Sequence, residues 1–290
     1  MRIGILSSNP ESWRMQQFIK AARKQHIRLC PIDPFETKLE LRDGKFRVAH
    51  TELDLSTFAS SIHGGNRRCF PYILHLLDHM EGMGIPLTAG AVAVWKTRNK
   101  FATLQAVAQA GLPVPDTFLT YSQDLALLEM NRMRMPVVIK LLESSSGKGV
   151  MMAENFVEAE GLTGTLKALD QLIFTQEFVN SPGVDYRAFV VGDEVVGAMK
   201  RKGRKGMWKA NIAVGGRGYK VNLDTEKEEM ALKTAEILET KIVGVDIIED
   251  KRGPMILEAN ITPGFEGLVK YTGVNPAPKV IELAKSIAKK

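Results

Sequence analysis

Cysteine is nearly missing from this 290-residue chain: Cys30 and Cys69 are its only two. Their spacing fits neither a C-x-x-C pair nor a metal cluster, and one pair in so long a chain makes no disulfide framework. A reduced, cytoplasmic setting is the expectation. Aromatic residues are few, at 7%, and no stacking ladder interleaves with the basic residues, so direct nucleic-acid binding is not the leading expectation. No apolar run approaches the roughly 18–20 residues of a membrane span. The opening Met1-Arg-Ile-Gly-Ile-Leu6 runs straight into Ser7-Ser-Asn-Pro10 and reads as a strand, not a signal peptide. The easily read phosphate signatures are absent too. No G-x-x-x-x-G-K-[ST] opens a helix and no G-x-G-x-x-G follows the first strand, which argues against Walker and Rossmann sites. There is no internal repeat and no low-complexity tract.

What is present is an ordinary globular composition, 44% hydrophobic and 25% charged, long enough for two or three domains. The net charge of +6 is uneven. Lys200-Arg-Lys-Gly-Arg-Lys205, with Lys209 and Arg217 behind it, forms one block suited to an anionic partner. Strands at 2–6 and 27–32 around an amphipathic helix at 11–24 predict a parallel sheet. Asp43-Gly44 predicts a hairpin, 70–82 a helix and 85–88 a short strand. His75 and His79, four apart on that helix, read as a solvated face. A helix at 99–110 closes on Gly111. Strands at 116–120, 136–140, 150–153 and 172–179 alternate with helices at 124–132 and 158–169, and Met133 and Met135 read as core. A hairpin turns over Gly192-Asp193. The capping signal Asp224-Thr225-x-x-Glu228 opens a helix to 239, and a basic-ended helix starts at 277.

Between the last two helices lies Gly244-Val-Asp246 and, after Asp-Lys-Arg-Gly-Pro turn chemistry, Glu258-Ala-Asn260. A three-residue connection centred on Arg252 would set Asp246 opposite Glu258. Alternation then puts Glu258 and Asn260 on one face and Leu257, Ala259 and Ile261 in the core. Two carboxylates and an amide oxygen on rigid strands suit Mg²⁺ or Mn²⁺ completed by substrate phosphates. A solvated face carrying ordinary acids is the alternative.

Four upstream segments look built for a nucleoside triphosphate. Lys140 ends a buried apolar strand, which is costly unless an anion pairs with it or the side chain snorkels out. Ser144, Ser145, Ser146 and Gly147 follow in a loop able to close backbone N–H groups over phosphates. Gln176-Glu177-Phe178-Val179 leaves a strand where a linker could meet a purine edge. Lys100, beside Asn99 at a helix start, combines a cation with helix N–H groups.

In this order the motifs resemble the ATP-grasp superfamily, and within it the RimK-type α-L-glutamate ligases. The matching segments are Asn99-Lys100, Val137-Val-Ile-Lys140-Leu, the 143–150 lid, Gln176–Val179, Asp185-Tyr-Arg187, Lys209-Ala-Asn211 before Gly215-Gly216, and Asp246 with Glu258-Ala-Asn260-Ile-Thr-Pro-Gly-Phe-Glu-Gly267. Lys209 stands where the family commonly has arginine. Residues 60–65 and Ala213-Val214 also depart from the family pattern.

The resemblance implies an α/β fold turning α+β towards the C-terminus. A pre-ATP-grasp domain would span 1–95, with two ATP-clasping subdomains at 96–183 and 184–290. It implies a carboxylate–amine ligase that uses ATP and two Mg²⁺ or Mn²⁺ ions, forms an acyl phosphate and joins it to L-glutamate. The anionic acceptor would be a protein tail or a small cofactor, and a homo-oligomer is compatible. Asp246, Glu258 and Asn260 would hold metal. Lys100, Lys140, Ser144, Ser145, Ser146, Gly147, Gln176, Glu177, Phe178, Val179, Asp185 and Arg187 would hold nucleotide. Arg201, Lys209 and Asn211 would serve the reacting phosphate. The alternatives are a ligase acting on an amino-group carrier protein and, in a different class, a basic RNA- or ribosome-associated module.

Overall fold

The computed structural model describes residues 1–49, 58–59, 70–142, 149–204 and 206–288. The expected β-α-β opening is β1 (Arg2–Leu6), α1 (Trp13–Lys24) and β2 (Arg28–Ile32), with β1 and β2 parallel. A separate hairpin follows, β3 (Lys38–Arg42) and β4 (Lys45–Ala49), turning on Asp43 and Gly44 at φ 50° and 69°. Both central residues are left-handed, which is why Asp-Gly stands there. The short β5 (Phe58–Ala59) pairs with the other edge of β1.

Three helices come next: α2 (Phe70–Gly82), α3 (Ala91–Arg98) and α4 (Lys100–Gln109). The strand expected at 85–88 is not formed. Pro86 can donate no ladder hydrogen bond, and the Thr88 carbonyl accepts from the distant Lys241 N–H at 2.9 Å. Nor do the histidines of α2 share a solvated face. His75 is exposed, but His79 is buried under the β3–β4 hairpin, edge-on to Phe46 and 3.0 Å from the Arg47 carbonyl.

The central segment runs β6 (Thr117–Thr120), α5 (Gln123–Arg132), β7 (Val137–Lys140), β8 (Val150–Ala153), α6 (Phe156–Ala168) and β9 (Ile173–Glu177). It forms an antiparallel sheet in the order β6-β9-β7-β8 under the two helices. Its core is its own: Met130, Val137, Ile139, Ala159, Leu166 and Ile173, with Met133 and Met135 against it.

The C-terminal segment comprises β10 (Val184–Val191), β11 (Glu194–Lys202), β12 (Arg217–Lys220), α7 (Thr225–Ile237), β13 (Ile242–Asp250), β14 (Gly253–Asn260), α8 (Glu266–Thr272) and α9 (Ala277–Ile287). Its five strands are antiparallel in the order β12-β11-β10-β13-β14. Asp224 caps α7 through the Lys227 N–H at 2.9 Å. Lys227, not Glu228, occupies the third helical position, and its ammonium also donates to Asp224, at 2.6 Å.

Packing crosses the boundaries expected near 95 and 183. One core joins Ile3, Met15 and Phe18 at the N-terminus to Phe189, Phe265 and Ile281 at the other end of the chain. Another joins Val107 of α4 to Val190, Val245 and Ala259 of the C-terminal sheet. Each large apolar side chain buried there is worth about 1.5–3 kcal/mol. Among the described residues no helix is long and apolar enough to cross a membrane.

Candidate active site

The site grows from strand register. Asp246 faces Glu258 as the turn chemistry predicts, but by a different route. The connection is two residues, Lys251 and Arg252, and the pairing shifts by one beyond Asp246 so that Leu257 is left over. That bulge re-aims the strand next to the site. It changes the expected alternation only at Leu257, which is half-buried while Ile256 enters the core; Ala259 and Ile261 are buried as expected.

On the neighbouring strands, Arg187 sits opposite Asp246 and Arg201 opposite Asp185. Arg187 donates to both Asp246 oxygens at 2.6 Å. Arg201 donates to Asp185 at 2.5 and 2.8 Å and lies 2.8 Å from Asp246 Oδ2. Two carboxylates and two guanidiniums thus interlock across β13, β10 and β11, with Asp246 1% and Arg201 2% exposed. Burial works against the Asp246 charge, but Arg187 and Arg201 outweigh it and hold the carboxyl at about 2. Burial pushes the Asp185 carboxyl up against the pull of Arg201.

Arg201 is thus engaged by Asp185 and Asp246 while also lining the cleft, and Asp185 faces Arg201. Both Asp246 oxygens accept from Arg187. Glu258 and Asn260 line the cleft beside them, with Asn260 Nδ2 donating to Glu258 Oε1 at 3.0 Å and Arg187 Nη2 3.8 Å from that same oxygen.

The central sheet contributes Lys140, which does not snorkel: it is 6% exposed. Its ammonium donates to Gln176 Oε1 at 2.6 Å, and Gln176 Nε2 donates to Thr117 at 3.0 Å. Burial lowers the Lys140 pKa to about 8, with Glu258 and Asp246 pulling it back up and Lys100 opposing them. Lys100 reaches the Leu142 carbonyl at 3.2 Å. The helix N–H groups expected to assist it are already taken, because Asn99 Oδ1 accepts from Phe101 and Ala102 at 3.1 Å each. Glu177 is likewise engaged, by the Asp116 N–H and by Arg252, both at 3.0 Å. Beyond Glu177, the Phe178 ring meets Trp208 edge-on at 6.2 Å, and the Val179 carbonyl accepts from the Ser181 N–H at 2.9 Å. Lys209 lies over Trp208 and donates to the Val150 carbonyl at 2.5 Å. Ser144, Ser145, Ser146 and Gly147 lie outside the described residues, as do His63, Cys69 and Lys205.

A cleft of about 800 Å³ lies between the starts of α1 and α4 and the C-terminal sheet, and none of Lys140, Gln176, Phe178 or Lys209 lines it. Lys100, Arg187, Arg201, Asn211, Glu258 and Asn260 all reach its surface. Asn211 is held there by a loop only glycine allows: a Cβ on Gly216 would lie 2.2 Å from the Ala210 carbonyl oxygen. The far wall includes a residue the sequence gave no reason to single out. Arg14 of α1 lines the cleft and donates to the carbonyls of Thr262 and Pro263 at 2.9 and 3.2 Å. A lone arginine on an amphipathic helix carries no spacing signal.

The donor set fits a hard divalent cation that relies on phosphate. Glu258 and the Asn260 oxygen face the cleft, and no group of three acidic, His or Cys side chains forms a self-sufficient metal cluster among the described residues.

A family model described as the RimK-like ATP-grasp domain matches residues 97–284, and the RimK pre-ATP-grasp domain model matches 1–94. The chain belongs to the RimK-like ATP-grasp family. A probable alpha-L-glutamate ligase of Legionella pneumophila (strain Corby) is 33% identical over 293 residues, covering 100% of this chain and 97% of that protein. Among solved structures, the ATP-grasp ligase PsnB complexed with minimal precursor, Mg and ADP superposes with a TM-score of 0.77 at 15% identity, over 99% of this chain and 97% of that one. The macrocyclase MdnC bound with precursor peptide MdnA from Microcystis aeruginosa MRC gives 0.74 at 16% identity, with both chains covered completely. These likenesses establish the ATP-grasp fold. This RimK-like chain is an ATP-dependent ligase, and ATP and Mg²⁺ are its cofactors.

Proposed function

We propose that this RimK-like ligase activates a carboxylate with ATP and joins it to the amine of L-glutamate, the acceptor being a peptide tail or a small anionic cofactor. The observation that carries the reading is the pairing of Asp246 with Glu258 beside Asn260, backed by buried Arg201 and half-buried Arg187 and opening on one cleft with Lys100. The name of the Legionella pneumophila relative supports glutamate as the amine.

In this reaction a carboxylate oxygen attacks the γ-phosphorus, the bond to the β,γ-bridging oxygen breaks, and ADP leaves an acyl phosphate behind. The glutamate amine then attacks the acyl carbon, expels phosphate and loses a proton. The protein's share is to position the reactants and neutralise charge. Glu258 and Asn260 would hold Mg²⁺ or Mn²⁺, two ions in all, with Asp246 behind them; bound there, the metal would neutralise the β- and γ-phosphate oxygens. Lys100 and Lys140 would take the α/β-phosphates, and the Phe178–Val179 backbone the adenine. Lys209 and Asn211 would face the transferred phosphoryl group. Arg201, together with Arg187 and Asp185, keeps Asp246 ionised and in place. The Ser144–Gly149 lid would exclude water from the acyl phosphate.

The test is incubation of the protein with ATP, Mg²⁺, labelled L-glutamate and an extract of its own source. ADP release that requires glutamate, with label entering one acceptor, is the expected result. ADP release that ignores glutamate and follows another amine would replace this reading with the carrier-protein alternative.

A further inference from the structure

We propose that Arg14 is a positioning residue that tethers the exit of β14, so that the first helix of the chain sets how far Glu258 and Asn260 reach into the cleft. This rests on the ligase reading only for what the cleft binds.

β14 stops at Asn260, so the Thr262 and Pro263 carbonyls lie beyond its ladder. Their partner is one nitrogen of Arg14, which comes from 248 residues earlier. The loop is held on its other side by Gly244, where a Cβ would lie 2.7 Å from the Pro263 Cβ, so that no larger residue lets the proline seat against β13. Two residues past the tether, Phe265 is 1% exposed and packs against Trp13 at 5.4 Å and Phe18 at 5.5 Å between ring centres. Helix α1 therefore grips the 262–265 loop with one guanidinium and two rings. Burial lowers the Arg14 pKa to about 10, an expense that a merely solvated arginine would not incur. A strand end held from both sides fixes the two side chains just before it. Misplacing such groups by an ångström can reduce a rate roughly a hundredfold.

The test compares Arg14→Ala, Arg14→Lys and Arg14→Gln in the full chain. Three quantities are read: amide hydrogen exchange over residues 258–266, Mg·ATP affinity by calorimetry, and kcat and KM for the carboxylate substrate. Arg14→Ala should speed exchange at 260–265 by about tenfold. It should weaken Mg·ATP roughly three- to tenfold and lower kcat about ten- to a hundredfold, with the carboxylate KM within about twofold. Arg14→Lys, which still donates to both carbonyls, should restore most of each. If Arg14→Ala does not fold, the ordering Lys above Gln in exchange protection and Mg·ATP affinity decides instead. Unchanged exchange and Mg·ATP affinity together with a raised carboxylate KM would overturn the tether and make Arg14 a substrate contact. Equal defects in the Lys and Gln variants would also overturn it. Should the wild type show no ligation, exchange and nucleotide affinity still judge Arg14, so the two readings fail separately.

Discussion

Arg201 and Lys140 are both buried cations at the end of apolar strands, yet the two sheets treat them in opposite ways. In the C-terminal sheet, Arg201 meets two carboxylates, and Asp246 meets a second arginine, so every charge is answered inside the protein. In the central sheet, Lys140 meets the neutral amide of Gln176, and burial brings its pKa to about 8. One sheet answers its buried cation with carboxylates, and the other answers it with a neutral amide. The difference predicts a structural role for Arg201 and an anion-binding role for Lys140.

Four variants and a pH series can break or sharpen that contrast. Arg201→Met strands buried Asp185 and takes from Asp246 one of its two arginines, and should cost about 3–5 kcal/mol in chemical denaturation; a loss under about 1 kcal/mol would mean the network is not the framework claimed. Glu258→Gln keeps the fold and removes the negative charge that Glu258 brings to the cleft. It should lower kcat by about 10²–10³, equivalent to about 3–4 kcal/mol, and near-normal turnover would remove Glu258 from the metal site. Lys140→Met should weaken Mg·ATP about tenfold or more while shifting stability by no more than about 1 kcal/mol, because the lost desolvation penalty offsets the unsatisfied Gln176 oxygen. An equal stability loss in Lys140→Met and Arg201→Met would erase the distinction.

The pH series follows from the sign of the Lys140 shift. Its pKa falls from 10.5 to about 8 on folding, so above pH 8 the folded protein sheds a proton that the unfolded chain keeps. Nucleotide affinity should therefore drop as pH rises through 8, while stability without nucleotide rises between 8 and 10.5. Titration calorimetry and denaturation across pH 7–10 measure both, and a flat affinity profile would remove Lys140 from the anion site. The smallest effect belongs to Arg252→Ala. The exposed pairs that variant breaks with Glu177 and Asp250 should matter by less than about 1 kcal/mol in denaturation.

Which parts were legible in the sequence has physical reasons. Turn chemistry and alternation located the Asp246–Glu258 pair, because local residues set a hairpin's register. The Leu257 bulge was invisible, since the two-residue turn plus one surplus residue gives the same pairing as a three-residue turn. Asn99 was read as a neighbour of Lys100, while its side chain in fact consumes the N–H groups offered to phosphate. The Arg187–Asp246 pair is not legible, because its members lie on adjacent strands 59 residues apart, and the Asp185–Arg201 pair is hidden by the irregular register of the β10–β11 hairpin. Arg14 and His79 were missed for the same reason: each acquires its role from a segment that only the fold brings near.

The core shared by Phe18, Phe265 and Ile281 also bears on how this chain can be cut. A fragment beginning at residue 97 would retain the whole span matched by the RimK-like domain model and still lack the side chains that cover Phe265 and α9. It would expose an oily face on the very loop that follows Asn260. Excision or transplantation of the ligase half into another scaffold therefore needs the first helix carried along with it, even though that helix sits at the opposite end of the gene.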